Sequence, residues 1–293
     1  MKSIIHSVFV LVILISTMPK SAIGQAEKVE QITIFGNRIN NPIKIEVEKR
    51  NNKISFIAIN KSYYPYSMEI KFSTLVNLFP KLTTHNIIVQ PGKNTILSLS
   101  VIDVNTSHDY SYSYKYYLGS MMDEPDLDYP YLIPIGEGRT VDFVRDSKYF
   151  YINNFKMNNR DSIYCMRKGI VTALPDLSVE SERIIKTGSL EIRHKDGTVA
   201  VYRNIDSELC KLRIGETVYP GQLVGEIISD KNLIVTIYQL IGDGKIRSID
   251  NKYICDNNRL LNSGEISNEV VVFPKAIVEK EMSKREIKKK DKS

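Results

Sequence analysis

Short β-branched or alternating apolar runs, separated by turn residues, fill the first part of the chain and leave little room for any fold not built from strands. Within Ile43–Val47 apolar and charged residues alternate with the two-residue period of a strand that buries one face. No segment of comparable strength has a helical period. Seven such runs at this spacing predict an immunoglobulin-like β-sandwich over residues 25–118. The runs are Ile32–Phe35, Ile43–Val47, Ile54–Ile59, Tyr66–Phe72, Ile87–Val89, Ile96–Val101 and Tyr110–Tyr117.

The second half again has strand-like runs, now with glycine at regular offsets. Ser189–His194 leads into Lys195-Asp196-Gly197-Thr198, a strong hairpin turn, and the chain returns through Val199–Tyr202. Further strands are predicted at Lys168–Ala173, Gly215–Val218, Leu223–Ile227 and Leu233–Tyr238. The stretch 119–138 has no periodicity and carries acids and prolines, which indicates a linker. The chain is therefore predicted to be all-β, with a second domain over 139–262.

The charge of the chain is concentrated at its ends. The sequence has 40 Lys and Arg against 34 Asp and Glu, a formal charge of +6. The surplus lies in Met1–Gly24 and Lys275–Ser293, while Gln25–Pro274 is balanced. This distribution excludes a basic nucleic-acid-binding platform. Residues 263–293 are predicted to be a basic tail, and Lys280–Ser293 has so little to bury that a solvated end is expected. Docking of that tail on anionic lipid, a wall polymer or nucleic acid stays open.

The N-terminal segment has the pattern of a secretory signal peptide. Lys2 precedes an apolar run, Val8–Ile15, and Ala22-Ile23-Gly24 supplies small residues for cleavage between Gly24 and Gln25. The run is short of the ~20 apolar residues that span a bilayer, which favours cleavage over an anchor. No later segment is long and apolar enough to span. A secreted or periplasmic location is predicted.

The three cysteines, Cys165, Cys210 and Cys255, are too few and too scattered for a disulfide framework. They are predicted to be small core residues, although one bridge among them stays open. A zinc site made of these three and His194 lacks the close paired spacing that such sites have.

The second domain resembles the M23 (lysostaphin/LytM-like) zinc metallopeptidase domain over roughly Tyr149 to Leu240. The segment Leu190–Thr198 with Tyr202 matches the family's "V-x-I-x-H-x-D-G-T … Y" hairpin, and Gly215–Gly225 matches its "G-x-x-V-x-x-G-Q-x-I-G" segment. Asp161–Cys165 followed by Gly169-Ile170-Val171 looks like an earlier strand pair. The resemblance implies an antiparallel β domain of the duplicated-hybrid-motif type, often preceded by an N-terminal β-domain in secreted members.

The departures from the family pattern decide the expected chemistry. Members hold zinc with a His and an Asp of an early strand and with the second His of "H-x-H"; the first His of that pair and the His of "Y-x-H" assist catalysis. Tyr149–Phe155 contains no His, and Asn154 stands where the Asp is expected. Asn204 takes the "Y-x-H" position, and Asn232 and Ile234 replace the "H-x-H" pair.

These replacements predict that zinc is absent, so no metal-bound water is activated. A catalytic zinc site usually needs three imidazole, thiolate or carboxylate ligands, whereas an amide is a weak donor and Ile234 donates nothing. After cleavage only His85, His108 and His194 remain, so no "H-x-H" pair exists in any alignment. His194, Asp196 and Gly197 match hairpin positions outside the metal set and are predicted to be structural.

The sequence therefore predicts a secreted cell-envelope pseudopeptidase without enzymatic activity. Asn154, Asn204, Asn232 and Ile234 would line a groove that binds peptidoglycan or another peptide, or that contacts and regulates an envelope hydrolase. One alternative is an active M23-type zinc metalloendopeptidase acting on peptidoglycan cross-bridges. The lack of any "H-x-H" pair after cleavage argues against it. Another is a lipoyl- or biotinyl-like carrier with Lys195 at its hairpin tip, against which export argues. The oligomeric state is not predicted.

Overall fold

The computed structural model describes residues 41–145, 152–175, 178–180, 183–185, 187–228, 231–242 and 245–291. All of them belong to one unit, Thr33–Ser293. The predicted signal peptide, Met1–Gly24, the predicted strand Ile32–Phe35, and Tyr149–Tyr151 of the early segment lie outside the described residues. Within the described ranges, no helix has the length and apolar character needed to cross a membrane.

Seven strands in the first half form two antiparallel sheets that share one core. The strands are β1 (Ile43–Arg50), β2 (Lys53–Asn60), β3 (Tyr66–Val76), β4 (Leu78–Phe79), β5 (Thr84–Val89), β6 (Gly92–Val101) and β7 (Asp109–Leu118). One sheet has the order β1-β2-β6-β4 and the other β5-β3-β7. Phe56 of the first sheet meets Phe72 and Tyr112 of the second edge to face, with ring centroids 5.6 and 5.0 Å away. The two sheets form a sandwich; its immunoglobulin-like character stays a prediction.

The second half is built around an eight-stranded antiparallel sheet. Its strands and those of the small sheets beside it are β8 (Pro130–Tyr131), β9 (Phe143–Arg145), β10 (Asn153–Phe155), β11 (Ser162–Tyr164), β12 (Gly169–Ala173), β13 (Ser178–Glu180), β14 (Arg183–Ile185), β15 (Thr187–Arg193), β16 (Thr198–Asp206), β17 (Thr217–Val218), β18 (Leu223–Glu226), β19 (Leu233–Leu240), β20 (Ile246–Ser248), β21 (Lys252–Ile254) and β22 (Leu260–Asn262). The large sheet runs β17-β12-β15-β16-β19-β10-β9, with β20 paired to β19. Small sheets are formed by β11-β18, β13-β14 and β22-β21-β8.

The antiparallel all-β prediction is confirmed by this architecture. Of the strand pairs described, β8 with β21 is the one parallel pair. Helical structure in the described ranges is limited to two 3₁₀ turns, Asp256–Asn258 and Ser263–Glu265, and two short α-helices. The α-helices are α1 (Lys275–Val278) and α2 (Lys284–Lys290).

The stretch 119–138, predicted to be a linker, divides into two parts. Met122 and Leu127 in its first part are exposed. In its second part Tyr131 and its neighbours are buried, because β8 pairs with β21 and the chain runs through the core of the second half. The buried side chains are Tyr129, Tyr131, Leu132, Ile133 and Ile135.

Gly119 marks a close crossing of the sandwich and the large sheet. Its φ is +97°, and a Cβ there would lie 2.5 Å from the carbonyl oxygen of Leu240 on β19. Only glycine fits both the backbone angle and the space.

Residues after 262, assigned from sequence to a basic tail, add to the fold. Ile266 and Val271 are fully buried in the main core, and Val278 packs against Leu132 and Ile254. Helix α2 starts with a capping box between Ser283 and Glu286 and buries none of its own residues. The basic segment at α2 is therefore held in place by the buried residues that precede it and by polar contacts.

Lowering the pH is expected to weaken the attachment of α2 to the rest of the fold, because it protonates the carboxylate of Glu286. This carboxylate accepts from the Ser283 amide (2.6 Å), from Lys168 Nζ (2.9 Å) and from the Tyr219 hydroxyl (2.9 Å). The Ser283 amide and then Lys168 lower the pKa of Glu286 from 4.5 to about 2. A depressed folded-state pKa gives stability above the ordinary pKa that is lost as the pH falls through the folded value. Hydrogen exchange of residues 283–290 should accelerate, relative to intrinsic rates, as the pH falls from 4.5 toward 2. Glu286→Gln is the control and should remove this dependence; protection that stays constant over this range would contradict it.

Candidate functional site

Three of the four predicted groove positions lie on neighbouring strands at one end of the large sheet, and the fourth, Asn232, immediately precedes β19. Asn154 on β10 is the register partner of Ile234 on β19, and Ile234 is the partner of Arg203 on β16. Asn204 follows Arg203, and its Nδ2 donates to the Asn232 carbonyl at 2.7 Å. Directly opposed antiparallel residues have Cβ atoms about 4.5–5.5 Å apart. The structure thus brings all four positions together.

The side chains of Asn154 and Ile234 lie on the face of the sheet opposite the main core. Along β19, Leu233 and Val235 are fully buried in that core, so Ile234 between them points the other way and is partly exposed. Register pairing continues this face from Ile234 through Arg203 to Ser189 on β15. We call Asn154, Ile234, Arg203 and Ser189 the Asn154 row.

Two polar atoms of the row have no hydrogen-bond partner among the described residues. Asn154 Oδ1 is a buried acceptor, and Arg203 Nε is a buried donor. They stand on either side of Ile234 in the register. An unsatisfied buried polar group costs about 1–3 kcal/mol. An acceptor and a donor flanking an apolar residue form an arrangement that a ligand backbone can satisfy.

The backbone conformation of Asn204 determines where its side chain lies. Its φ is +68°, a left-handed conformation that asparagine tolerates better than most residues. The turn this produces lets its carbonyl accept from the Ile228 amide at 3.2 Å while its side chain reaches Asn232. Asn204 therefore joins the end of β16 to the chain entering β19.

The residues present do not fit zinc. The row offers one neutral amide oxygen from Asn154 and an aliphatic Ile234, and the Asn204 amide nitrogen is committed to a backbone carbonyl. Zinc sites use imidazole, thiolate or carboxylate donors, with three from the protein in catalytic sites. In the described ranges no three His, Cys, Asp or Glu side chains come together as metal ligands. No reaction step can be assigned through a metal here.

His194, Asp196 and Gly197 form the turn between β15 and β16. Thr198 Oγ1 donates to Asp196 Oδ1 at 2.7 Å, so it must accept from His194 Nδ1 at 2.9 Å. This arrangement puts the His194 proton on Nδ1. Burial, and then the charge of Arg167, lower the pKa of His194 and keep the ring neutral. A Cβ on Gly197, whose φ is +83°, would lie 2.6 Å from Asp123.

Sequence reasoning missed Arg167, which joins this hairpin to the C-terminal segment. Its side chain is 3% exposed, and it donates to Asp196 Oδ2 at 2.8 Å and to Glu281 Oε1 at 2.7 Å. Its guanidinium lies 3.6 Å from the centroid of the Tyr129 ring. Burial by itself would raise the pKa of Asp196, but the Arg167 charge lowers it. Nothing in the local sequence distinguishes Arg167 from a surface cation.

Sequence reasoning also missed Glu191, which is fully buried on the face of the Asn154 row. The hydroxyl of Tyr64, from the sandwich, donates to Glu191 Oε2 at 2.5 Å and lies 2.7 Å from Thr172 Oγ1. Tyr64 also packs with Val199 and Val201 of β16. The sandwich therefore covers this face beyond Ser189.

The three cysteines are free thiols. Cys165 and Cys255 are fully buried in the main core, and Cys210 packs partly buried against it. Burial raises the pKa of Cys165 to about 12 and that of Cys255 to about 11. These thiols stay protonated near neutral pH and are poor nucleophiles and metal ligands.

No protein-family model and no curated protein matches the chain. Among solved structures it is similar to the M23 metalloprotease pseudoalterin from the deep sea, with 15% identity, 49% of this chain and 99% of that chain covered, and a TM-score of 0.34. It is similar to Helicobacter pylori Csd3, with 14% identity, 86% and 77% covered, and a TM-score of 0.29. It is also similar to a variant of the catalytic domain of the prophage-encoded M23 protein EnpA from Enterococcus faecalis, with 16% identity, 43% and 93% covered, and a TM-score of 0.26. The structural neighbours thus include M23 peptidase family members, at low identity and over part of the chain.

Proposed function

We propose that the chain is an exported cell-envelope pseudopeptidase that binds peptide in an M23-like groove and does not hydrolyse it. The observation that carries this proposal is the Asn154 row. Among the described residues it keeps an acceptor and a donor without partners, one on either side of Ile234, whereas its residues do not fit zinc. A site that has lost its metal donors but retains unsatisfied hydrogen-bonding groups is suited to recognition.

The ligand that fits is an extended peptide, such as a peptidoglycan stem peptide. Asn154 Oδ1 accepts from a ligand amide, Arg203 donates to a ligand carbonyl or carboxylate, and Ile234 contacts an apolar side chain. The face is closed beyond Ser189, where Tyr64 covers Glu191. Since residues 25–274 carry balanced charge, recognition in the groove depends on shape and hydrogen bonds.

Asn154→Leu is expected to weaken peptide binding about tenfold, the effect of losing one hydrogen bond of ~1.4 kcal/mol. The stability of the unliganded protein should stay equal or rise, because the substitution removes a buried unsatisfied acceptor. Calorimetric titration of a stem peptide and urea unfolding measure the two effects. Asn86→Leu, at an exposed position on β5, is the matched control and should leave binding unchanged.

Two outcomes would overturn the proposal. Stoichiometric zinc by elemental analysis, together with release of fragments from purified peptidoglycan, would establish the active zinc metalloendopeptidase instead. Failure to retain the protein on peptidoglycan or stem peptide, with capture of an envelope hydrolase from extract, would replace peptide binding by regulation of that hydrolase.

A further inference from the structure

Strand β7 (Asp109–Leu118) leaves one of its edges unpaired. Its sheet has the order β5-β3-β7, and β3 is the one strand that pairs with β7 in the described part of the chain. The strand has ten residues, no proline and two charged side chains, whereas the edge strand β1 carries five charged side chains among its eight residues. Edge strands without such protection pair readily with another strand, because their amides and carbonyls are free.

The free edge of β7 is formed by the backbone of its tyrosines. The Phe72 amide on β3 donates to the Thr83 carbonyl, on the side of β5, at 2.8 Å. Backbone direction alternates along a strand, so Lys71 faces β7, where its register partner is Ser113. Ser113 therefore faces β3, and the residues on either side of it face outward. The tyrosines whose amides and carbonyls face outward by this alternation are Tyr110, Tyr112 and Tyr114.

The sequence of β7 is symmetric about Tyr112. Residues 109–115 are Asp-Tyr-Ser-Tyr-Ser-Tyr-Lys, which reads the same in both directions except for the charges at its ends. When a second copy of this strand pairs antiparallel about Tyr112, each residue meets the one at the same distance on the other side. The opposed pairs are Tyr110 with Tyr114, Ser111 with Ser113, and Asp109 with Lys115. The strand is thus complementary to itself about a two-fold axis, with opposite charges at both ends.

The charges that this register pairs are not balanced within one chain. Lys115 Nζ lies 3.1 Å from a Glu69 carboxylate oxygen, and Lys71 Nζ lies 3.3 Å from the same oxygen. Two lysines therefore share one carboxylate. Asp109 is exposed and has no cation partner in the described part of the chain. The Asp109 of a second copy supplies a second carboxylate beside Lys115.

The tyrosine rings of β7 form a row that a second strand would extend. The rings of Tyr110, Tyr112, Tyr114 and Tyr116 follow one another at centroid distances of 6.4, 6.5 and 6.4 Å. Tyr112 packs edge to face on Phe56 in the core of the sandwich, whereas Tyr114 is 42% exposed. Directly opposed aromatic side chains stabilise a pair of strands. In the symmetric register, Tyr110 of the second copy covers the exposed Tyr114.

We infer that the chain forms a two-fold dimer in which β7 pairs antiparallel with β7 of a second copy, Tyr112 opposite Tyr112. The outward amides and carbonyls of the opposed tyrosines exchange hydrogen bonds, and the two three-stranded sheets become one continuous sheet. The contact uses no residue of the Asn154 row. Because a pairing over residues 109–115 is smaller than a standard protein interface, the dimer dissociates on dilution.

Proline at the free edge tests the pairing. Sedimentation velocity over a range of protein concentrations measures the dimer dissociation constant, and all variants are expressed from the full-length gene so that they share one N-terminus. Tyr114→Pro removes an outward amide and none of the bonds to β3, and should raise the dissociation constant about tenfold or more. Asn86→Pro is the matched control. Asn86 is exposed on β5, at the other edge of the same sheet, and the same alternation turns its amide outward.

Charge exchange at the ends of the pairing tests the register itself and needs no proline. Asp109→Lys places two lysines opposite each other, and Lys115→Glu places two acidic side chains opposite each other. Each variant alone should therefore dimerise about tenfold more weakly than the parent. An equimolar mixture should dimerise like the parent. In the mixed dimer the two introduced charges are opposite in sign at one end, and the native Asp109 and Lys115 meet at the other.

Four results would overturn the inference. One is a parent that stays monomeric at every concentration, including the case in which the predicted strand Ile32–Phe35 of the same chain occupies this edge. The second is a Tyr114→Pro protein that folds and dimerises like the parent. The third is a loss of dimerisation in Asn86→Pro equal to that in Tyr114→Pro. The last is a mixture of the two charge variants that dimerises no better than either variant alone.

Discussion

Arg167→Met should destabilise the folded chain by about 3–5 kcal/mol, the cost of breaking a buried ion pair by removing one partner. The guanidinium is almost completely buried between Asp196 and Glu281. Methionine fills much of the volume but leaves two partly buried carboxylates without their cation. Urea denaturation monitored by circular dichroism measures the free energy of unfolding.

The control and the rescue separate charge pairing from packing at this position. Lys156→Met breaks an exposed pair with Asp142 (3.2 Å) and should cost no more than about 1 kcal/mol. Adding Asp196→Asn and Glu281→Gln to Arg167→Met should recover part of the lost stability, because the buried charges are then removed. A loss below about 1 kcal/mol for Arg167→Met itself would show that the carboxylates are solvated and not held by the arginine.

Tyr64→Phe should cost about 1–3 kcal/mol, the penalty for leaving a buried polar group without its partner. The substitution removes one oxygen, which is shared between Glu191 and Thr172. Burial raises the pKa of Tyr64 well above its ordinary value, so the phenol keeps the proton that it donates. Because Tyr64 belongs to the sandwich and Glu191 to the large sheet, this hydrogen bond connects the two halves of the chain.

A double-mutant cycle tests whether the tyrosine acts through the carboxylate. Urea unfolding of Tyr64→Phe, Glu191→Gln and the double variant should give a coupling energy of at least about 0.5 kcal/mol. Tyr63→Phe changes the neighbouring tyrosine, which is 40% exposed, and should stay within about 0.5 kcal/mol of the parent. Additive effects at Tyr64 and Glu191 would mean that the hydroxyl contributes through Thr172 alone.

The strands with clear periodicity could be placed from sequence. The run Ile54–Ile59 became β2 (Lys53–Asn60), and Leu233–Tyr238 became β19 (Leu233–Leu240). The turn at Asp196-Gly197 joins β15 to β16. These elements are local: alternation, β-branching and turn residues within a few positions are sufficient to specify them.

The candidate site was only partly accessible from sequence. The M23 resemblance singled out Asn154, Asn204, Asn232 and Ile234. Register pairing places Asn154 opposite Ile234, and a hydrogen bond joins Asn204 to the Asn232 carbonyl. It did not include Arg203, whose Nε has no hydrogen-bond partner in the described part of the chain. In the sequence, Arg203 is indistinguishable from an ordinary charged residue on a strand. Its position opposite Ile234 depends on the pairing of β16 with β19.

The sequence by itself determined that this chain folds into antiparallel sheets, where the best strands lie, and that zinc donors are missing from the positions where the resemblance expects them. Tertiary structure alone decided that Tyr129–Ile135 belongs to the core, that Arg167 holds Glu281, and that Tyr64 reaches Glu191. Strand periodicity is a local property, because it depends on residues that are adjacent in the sequence. The burial of a charge or of a nonperiodic segment depends on partners far away in the chain, and these are specified only when the sheets pair and pack.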